Sequence, residues 1–228
     1  EELKDKPHSL IAIDNVPNLS QSETEELIDR IRSLRAMGVG VFMSCRPSNR
    51  QLIHGLGDSI KVNAQMLKVH AYEYSAWASA FSISTSLDFY QLTQGVPELV
   101  SAMQSGLYGQ GDVAQMLENE IVNIYGAALV DLASLENNAL FSVACLMVLM
   151  GEGNISELEA CGVRLSAIDQ SYLVRDYPIF GVDPADRSFT CLGTEDNARL
   201  RLRKLVAEIR PELVARAARI LIKAGRCD

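Results

Sequence analysis

Two short stretches decide the fold of this chain: SLIAIDN at residues 9–15 and GVGVFMSCR at residues 38–46. Each is a short apolar run that ends in polar or charged residues, which is typical of a buried strand. One helix is predicted between them, so the three elements predict a right-handed βαβ unit with two parallel strands. Parallel sheets bind ligands at the carboxyl ends of their strands, and Asp14 and Arg46 fall at those ends.

The composition indicates a globular protein, because 48% of the 228 residues are hydrophobic and 22% are charged. The longest apolar run, at residues 139–150, is shorter than the roughly 20 residues that cross a bilayer, and we expect no membrane contact. No secretion signal stands at the start, and the five cysteines lack the spacing of a disulfide framework or a metal site. We therefore expect a cytoplasmic protein with reduced thiols.

The net charge of −8 is unevenly distributed along the chain. Residues 136–193 carry 3 basic and 8 acidic side chains, whereas residues 194–228 carry 9 basic and 5 acidic ones. Nucleic-acid affinity depends on the neutralisation of several phosphates, so the acidic region is a poor candidate for DNA binding. Only the C-terminal segment is basic.

The first helix is predicted to begin at Ser22, which forms a capping box with Glu25. Its apolar stripe consists of Leu27, Ile28, Ile31 and Leu34. A further strand is predicted at residues 58–63. From about residue 71 the strand signals stop, and helices are predicted at residues 72–81, 85–93, 97–105 and 112–135. This change in pattern indicates a domain boundary.

Three helices and two strands are predicted next, in an order typical of a winged helix. The helices span residues 136–150, 155–160 and 165–175, and the strands span residues 178–182 and 187–192. Asp183, Pro184 and Asp186 favour a turn between the two strands. Two last helices, at residues 197–209 and 211–224, form a predicted hairpin. Such a pair could open a solenoid array, but one pair does not establish a repeat.

Three local motifs carry a resemblance to a known family. LIAIDN at residues 10–15 resembles the Walker B strand of P-loop ATPases, and FMSCRP at residues 42–47 resembles their arginine-bearing sensor strand. LTQGVPEL at residues 92–99 resembles the Gly-x-Pro motif of the helical domain that follows. In this order, and followed by a winged helix, the motifs resemble the STAND class of signal-transducing ATPases, especially bacterial MalT-like and LuxR-family transcriptional regulators.

The resemblance implies a fold and a set of domains. The fold is an α/β remnant of a truncated P-loop NTPase core, joined to a helical domain and a winged helix, and it is predominantly α. Residues 1–70 are the C-terminal part of the core, and residues 71–110 are the small helical lid domain. A helical connector and winged helix span residues 111–193, and the helical hairpin spans residues 194–228.

The resemblance also implies functional residues. Asp14 and Asn15 take the catalytic positions, and Asp14 also takes the Mg²⁺-binding position. Asn15 stands where many relatives have a second acidic residue. Arg46, Gly95 and Pro97 take positions that contact the nucleotide. Each also has a structural alternative: Asp14 in an Asx turn, Arg46 as a solvated loop residue, and Pro97 as the first residue of a helix.

The chain departs from the family at its phosphate-binding loop, because it contains no Gly-x-x-x-x-Gly-Lys-Ser/Thr. We therefore expect the chain to begin partway through an ATPase domain. ATP and Mg²⁺ are implied cofactors of the intact protein, which would be an ATPase, whereas this fragment is expected to bind neither and to be inactive.

The implied function is a regulatory switch that couples nucleotide state to the packing of the helical and winged units. Its partners are other domains of the same polypeptide and, as an open alternative, further copies in a homo-oligomer. The competing function is a winged-helix DNA-binding module that reads bases through Arg164, Gln170 and Arg175. The basic helix with Arg199, Arg201, Arg203 and Lys204 is interpreted as a solvated face, with Leu200, Leu202 and Leu205 partly buried.

Overall fold

The computed structural model describes residues 9–70, 73, 90, 93–109, 112–135, 138–192 and 196–226. The chain divides into two compact units, Glu1–Lys61 and Val62–Asp228. The described residues are predominantly helical and include two small sheets, which agrees with the expected mostly-α class. The predicted domain limits at residues 70, 110 and 193 stay predictions.

The first unit is built around a parallel strand pair. Its elements are β1 (Leu10–Val16), α1 (Gln21–Ala36), β2 (Gly40–Cys45) and α2 (Arg50–Gly55). In the register of the pair, Leu10 lies opposite Gly40 and Val16 lies opposite Cys45, with an irregularity between Ile13 and Val16. The predicted strand–helix–strand unit with parallel strands is confirmed.

Helix α1 begins two residues earlier than predicted. Ser20, and not Ser22, is the N-cap, and Glu23 completes the capping box. Both serines have a Glu three residues later, so the sequence offers two overlapping boxes. The earlier start buries Thr24, whose hydroxyl donates to the Ser20 carbonyl at 2.9 Å.

The prediction that both strands are buried is wrong. Leu10 is 70% exposed and Phe42 is 63% exposed, whereas the alternate residues Ile13 and Met43 pack on a small core. That core contains Val16, Ile28 and Leu52. An apolar run fits a half-covered sheet as well as a buried one, because only alternate side chains share a face. In the described part of this unit, one face of the sheet stays uncovered.

The strand predicted at residues 58–63 is also wrong. This segment is a loop that leads into a short 3₁₀ helix, Ala64–Leu67, with Asn63 as its N-cap. The Asn63 side chain accepts a hydrogen bond from the Met66 N–H at 3.0 Å. Ile60 is 95% exposed and Val62 is 55% exposed, so the apolar residues of the segment have no sheet to pack on.

The second unit consists mainly of helices around one core. Helices α3 (Pro97–Gly109), α4 (Val113–Ala133) and α5 (Asn138–Met150) precede a three-stranded sheet with two intervening helices, and α8 (Asp196–Ile209) and α9 (Pro211–Lys223) follow it. These helices confirm the predictions to within a few residues. The helices predicted at residues 72–81 and 85–93 lie almost entirely outside the described residues.

The sheet has the strand order β3-β5-β4, and both pairs are antiparallel. Its elements follow α5 as β3 (Glu152–Asn154), α6 (Ile155–Ala160), α7 (Ala167–Asp176), β4 (Phe180–Asp183) and β5 (Ser188–Cys191). The Asp183 carboxylate accepts from the Ala185 N–H at 2.8 Å and so holds the predicted turn between β4 and β5. Strand β3 was not predicted.

Helix α5 lies at the centre of this core. All its residues from Leu140 to Met150 are buried, as the sequence predicts. Helix α4 packs beside it and is tied to the sheet, because the Tyr125 hydroxyl contacts the carbonyls of Ile179 at 3.0 Å and Leu192 at 2.9 Å. None of the helices in the described ranges combines the length and apolarity that a bilayer crossing requires.

Candidate functional site

The ends of strands β1 and β2 are joined by side-chain hydrogen bonds. The Ser44 hydroxyl donates to Asp14 Oδ1 at 2.5 Å, and Ser44 Oγ accepts from the Asn15 N–H at 2.7 Å. Asp14 and Asn15 belong to β1, and Ser44 belongs to β2. The register of the parallel strands therefore brings together three polar residues at the carboxyl edge of the sheet.

Asn15 has a left-handed backbone, with φ = 54°. Asparagine adopts this conformation more readily than most non-glycine residues. It lies where the register between β1 and β2 is interrupted, between Ile13 and Val16. Irregularities of this kind often occur beside functional sites, where they redirect a group out of the ladder. Here the Asn15 N–H is directed to the Ser44 hydroxyl.

A second set of hydrogen bonds fixes the loops beyond the two strands. The buried Asn49 side chain donates from Nδ2 to the carbonyls of Pro17 at 2.8 Å and Val16 at 3.2 Å. Ser48 Oγ donates to Asn18 Oδ1 at 2.9 Å. Asn49 and Ser48 therefore join the two loops that follow β1 and β2.

The hydrogen-bond partner of Asp14 on β2 is Ser44, a residue that was not predicted from the sequence. Arg46 lies two residues further along the chain, and its expected contact with the nucleotide stays a prediction. The Arg46 side chain is exposed, and its carbonyl accepts from the Asn49 N–H at 3.0 Å. The alternation of side chains along β2 was the available signal, because Ser44 is the first polar residue of an apolar strand.

The Asp14 carboxylate fits only a metal site with few protein ligands. Among the residues that the structure describes, no three His, Cys, Asp or Glu side chains converge in a way that could hold a metal ion. Mg²⁺ retains several waters and uses one or two carboxylates together with substrate phosphates. An exposed carboxylate beside a hydroxyl fits such a sparse donor set. The catalytic and metal roles of Asp14, and the catalytic role of Asn15, stay predictions.

Gly95 has a clear structural role in the second unit. Its φ is +74°, and a Cβ on it would lie 2.0 Å from the Val69 carbonyl oxygen. The Val69 N–H donates to the Gly95 carbonyl at 2.8 Å, so the two backbones are in close contact. Pro97 is the first residue of α3, a favoured position because proline lacks the N–H that would be unpaired there. The nucleotide contacts of Gly95 and Pro97 stay predictions.

Two of the three candidate base-reading residues, both on α7, are bound within the chain. Arg175 pairs with Asp176, with 2.9 Å between Nε and Oδ1, and this pairing raises the pKa of Arg175. Gln170 Nε2 donates to the Leu165 carbonyl at 3.2 Å. Arg164 is exposed. Base reading by Arg175 and Gln170 would require these contacts to break first.

The prediction of a solvated basic face on α8 is wrong for two of its four residues. Arg199 Nη2 donates to the Met150 carbonyl at 2.7 Å, and Arg203 Nε donates to the Leu149 carbonyl at 3.0 Å. These carbonyls end α5 and have no partner within that helix. Burial, followed by the neighbouring Arg199, lowers the pKa of Arg203.

The remaining residues of α8 match the prediction in part. Arg201 and Lys204 are exposed, as expected of a solvated face. Leu202 is fully buried and Leu205 is half-buried, whereas Leu200 is exposed. The side of α8 that contacts the core is therefore set by Leu202 together with the two arginines.

Two more arginines connect the C-terminal segment to helix α6. Arg216 Nη1 donates to the carbonyl of Cys161, the C-cap of α6, at 3.2 Å. Arg226 pairs with Glu157 at 2.7 Å and donates to the Glu152 carbonyl at 2.5 Å. Cationic donors at helix C-termini are favourable because the last carbonyls carry partial negative charge. Backbone carbonyls of the second unit thus accept hydrogen bonds from four arginines of the basic segment, Arg199, Arg203, Arg216 and Arg226.

The chain was compared with family models, with curated proteins and with solved structures. None of the three comparisons found a match.

Proposed function

We propose that this chain is the regulatory switch segment of a bacterial signal-transducing P-loop ATPase of the STAND class, in the LuxR family of transcriptional regulators. The observation that carries the proposal is the hydrogen bond between Asp14 and Ser44 at the carboxyl edge of two parallel strands. An acidic residue at the end of one strand, beside a polar residue on its parallel neighbour, is the arrangement that Walker B and sensor strands require. The proposal places the protein in the cytoplasm.

The order of elements in the second unit supports the same proposal. From α5 to β5 the chain runs helix, strand, helix, helix, strand, strand, and the strands pair as β3-β5-β4. This is the order expected of a winged helix. In the proposed protein this unit relays the nucleotide state to following domains of the same polypeptide.

The proposed mechanism is a population shift between two arrangements of the units. Mg²⁺ supplies charge neutralisation for the phosphates when it is bound. The Asp14 carboxylate would hold the ion, and the Arg46 guanidinium would bind the phosphates. A ligand shifts the equilibrium only as far as its affinities for the two arrangements differ. The ATP-bound arrangement would be the one that assembles further copies.

The alternative function, a DNA-binding winged helix, has weaker support. The region from residue 136 to 193 has 8 acidic and 3 basic residues, and Arg175 is neutralised by Asp176. Repulsion between this surface and the phosphates would oppose binding most strongly at low salt, where screening is weakest. A gel shift at low salt tests this function directly.

The proposed function is tested by calorimetric titration with Mg-ATP. The proposal requires the polypeptide in its natural length to carry a phosphate-binding loop, because most phosphate affinity comes from such a loop and its lysine. The natural-length protein is expected to bind Mg-ATP saturably, whereas the 228-residue chain gives no saturable heat in the micromolar range. Asp14→Asn in the natural-length protein should weaken the dependence of binding on Mg²⁺.

The matched control for Asp14→Asn is Asp29→Asn, an exposed acidic residue on α1. This variant should bind Mg-ATP as the wild type does. Absence of binding by the natural-length protein would overturn the proposal. Tight stoichiometric binding by the 228-residue chain would also overturn it, since the phosphate site would then lie among other residues.

A further inference from the structure

We infer that Ser44 is a positioning residue that sets the orientation of the Asp14 carboxylate toward Mg²⁺-bound water. The inference rests on the proposed function and adds a positioning residue to that site. Its basis is the pair of hydrogen bonds through one hydroxyl, from the Asn15 N–H at 2.7 Å and to Asp14 Oδ1 at 2.5 Å. The residue lies on β2 and both partners lie on β1, 29 and 30 positions away in sequence.

The hydroxyl of serine has one proton to donate and two lone pairs that accept. In this arrangement the proton is directed to Asp14, because the Asn15 backbone can only donate through its N–H. The direction of both hydrogen bonds is therefore fixed by the chemistry of the partners. One oxygen of the Asp14 carboxylate is held by Ser44, which defines the direction that the other oxygen faces.

The backbone of Asn15 reinforces this geometry. Its left-handed conformation takes the N–H out of the strand ladder and directs it to Ser44. The Ser44 hydroxyl thus accepts the N–H of the residue at which the strand register is interrupted. Groups that orient a metal-binding side chain in this way commonly change metal affinity by about 10–100-fold when they are removed.

The structure supplies a matched control nearby. Ser48 also donates a side-chain hydrogen bond from one loop to the other, to Asn18 Oδ1 at 2.9 Å. It makes the same kind of contact without touching Asp14. Ser48→Ala therefore removes a comparable hydroxyl while leaving the Asp14 contact in place.

The first experiment measures amide hydrogen exchange at Asn15 in the 228-residue chain by NMR. Loss of a hydrogen bond worth about 1 kcal/mol corresponds to exchange that is roughly fivefold faster. We expect this change in Ser44→Ala, no change in Ser48→Ala, and recovery in Ser44→Thr, which retains the hydroxyl. Unchanged exchange in Ser44→Ala would overturn the inference.

The second experiment measures the Mg²⁺ concentration that half-saturates ATP binding in the natural-length protein. Ser44→Ala should raise it about tenfold or more, whereas Ser44→Thr and Ser48→Ala should stay near the wild-type value. A purely structural role would lower the melting temperature without moving this midpoint.

The two proposals fail in different ways. If Asp14→Asn weakens the Mg²⁺ dependence and Ser44→Ala does not, the inference about Ser44 is wrong and the proposed function stands. If the natural-length protein binds no Mg-ATP at all, the proposed function is wrong, and the Ser44 inference is lost with it. Exchange at Asn15 then still reports whether the hydrogen bond exists.

Discussion

The two units of the molecule differ in how far their apolar side chains are buried. In Glu1–Lys61 a small core around Val16, Ile28 and Leu52 supports the sheet, while Leu10 and Phe42 stay exposed. In Val62–Asp228 every residue of α5 from Leu140 to Met150 is buried. The first unit therefore carries polar residues at its strand ends and has few buried apolar side chains. The second unit contains most of the buried apolar side chains. We expect the first unit to open locally at lower free energy than the second.

The largest expected effect compares one phenylalanine from each unit. Phe141 is buried in α5, so Phe141→Ala should lower the free energy of unfolding by about 3–5 kcal/mol. Phe42→Ala, on the uncovered sheet face, should change it by less than about 0.5 kcal/mol. Chemical denaturation of both variants measures the difference. A loss below roughly 1 kcal/mol for Phe141→Ala would contradict the burial of α5.

The next effect concerns a buried hydrogen bond of the second unit. The Tyr177 hydroxyl donates to the buried carboxylate of Asp131 at 2.5 Å, which ties α4 to the end of α7. Tyr177→Phe should cost about 1.5–3 kcal/mol, the usual value of a hydrogen bond to a charged group. The exposed contact of the first unit, tested by Ser44→Ala, should cost about 1 kcal/mol or less. Equal losses in urea denaturation would remove this difference between the units.

A smaller effect is expected at the end of α5. Arg203→Ala removes a donor from the Leu149 carbonyl and should destabilise the protein by about 1 kcal/mol. Lys204 is exposed on the same helix, and Lys204→Ala should stay within about 0.5 kcal/mol of the wild type. Thermal denaturation of the two variants, side by side, separates a capping role from a general effect of charge. Indistinguishable melting temperatures would contradict the capping role.

The smallest expected effect is that of the buried ionisable side chains on stability, which is absent at neutral pH and appears only at alkaline pH. Burial raises the pKa of Cys145 and of Cys191 to about 12, and burial also raises the pKa of Tyr177 above its usual range. A raised folded-state pKa gives stability that is fully present below the unfolded pKa and is lost as the pH rises toward the folded value. The free energy of unfolding should therefore fall from about pH 9 upward, because the thiols ionise first in the unfolded state.

Cys145→Ala should make this alkaline decline shallower by up to about 1.4 kcal/mol per pH unit, the contribution of one proton. Cys45→Ala is the matched variant in the first unit, where the thiol is half-buried. Denaturation curves at pH 7, 9, 10 and 11 give the slopes. A slope that Cys145→Ala leaves unchanged would show that this thiol does not contribute.

Much of the fold was predictable because its signals are local. The strand–helix–strand order of the first unit follows from apolar runs and one amphipathic stripe, and the turn at Asp183 follows from its acidic and proline residues. Where the sequence offered two equivalent local signals, as at Ser20 and Ser22, it gave no basis for a choice. Local patterns therefore predicted whether an element is a helix or a strand more accurately than they predicted the residue at which it begins.

The errors share a different physical cause, which is dependence on a distant partner. Strand β3 has only three residues, including Gly153, and it exists because β5 pairs with it. The segment at residues 58–63 has strand-like residues and no strand beside it in the described structure. The hydrogen-bond partners of Ser44 lie about thirty positions away in the sequence, and the partner of Arg203 lies 54 positions away at the end of a helix. Sequence alone gives no distance between such residues.

The arginine contacts of the C-terminal helices bear on how this protein should be divided for expression. A fragment that ends at residue 193 loses Arg199, Arg203, Arg216 and Arg226, and with them the donors to the ends of α5 and α6. It also uncovers the core that Leu202, Val206 and Leu213 close. We expect that fragment to aggregate on expression and the whole second unit, Val62–Asp228, to remain monodisperse in size-exclusion chromatography. The second unit would then require the basic segment in order to fold.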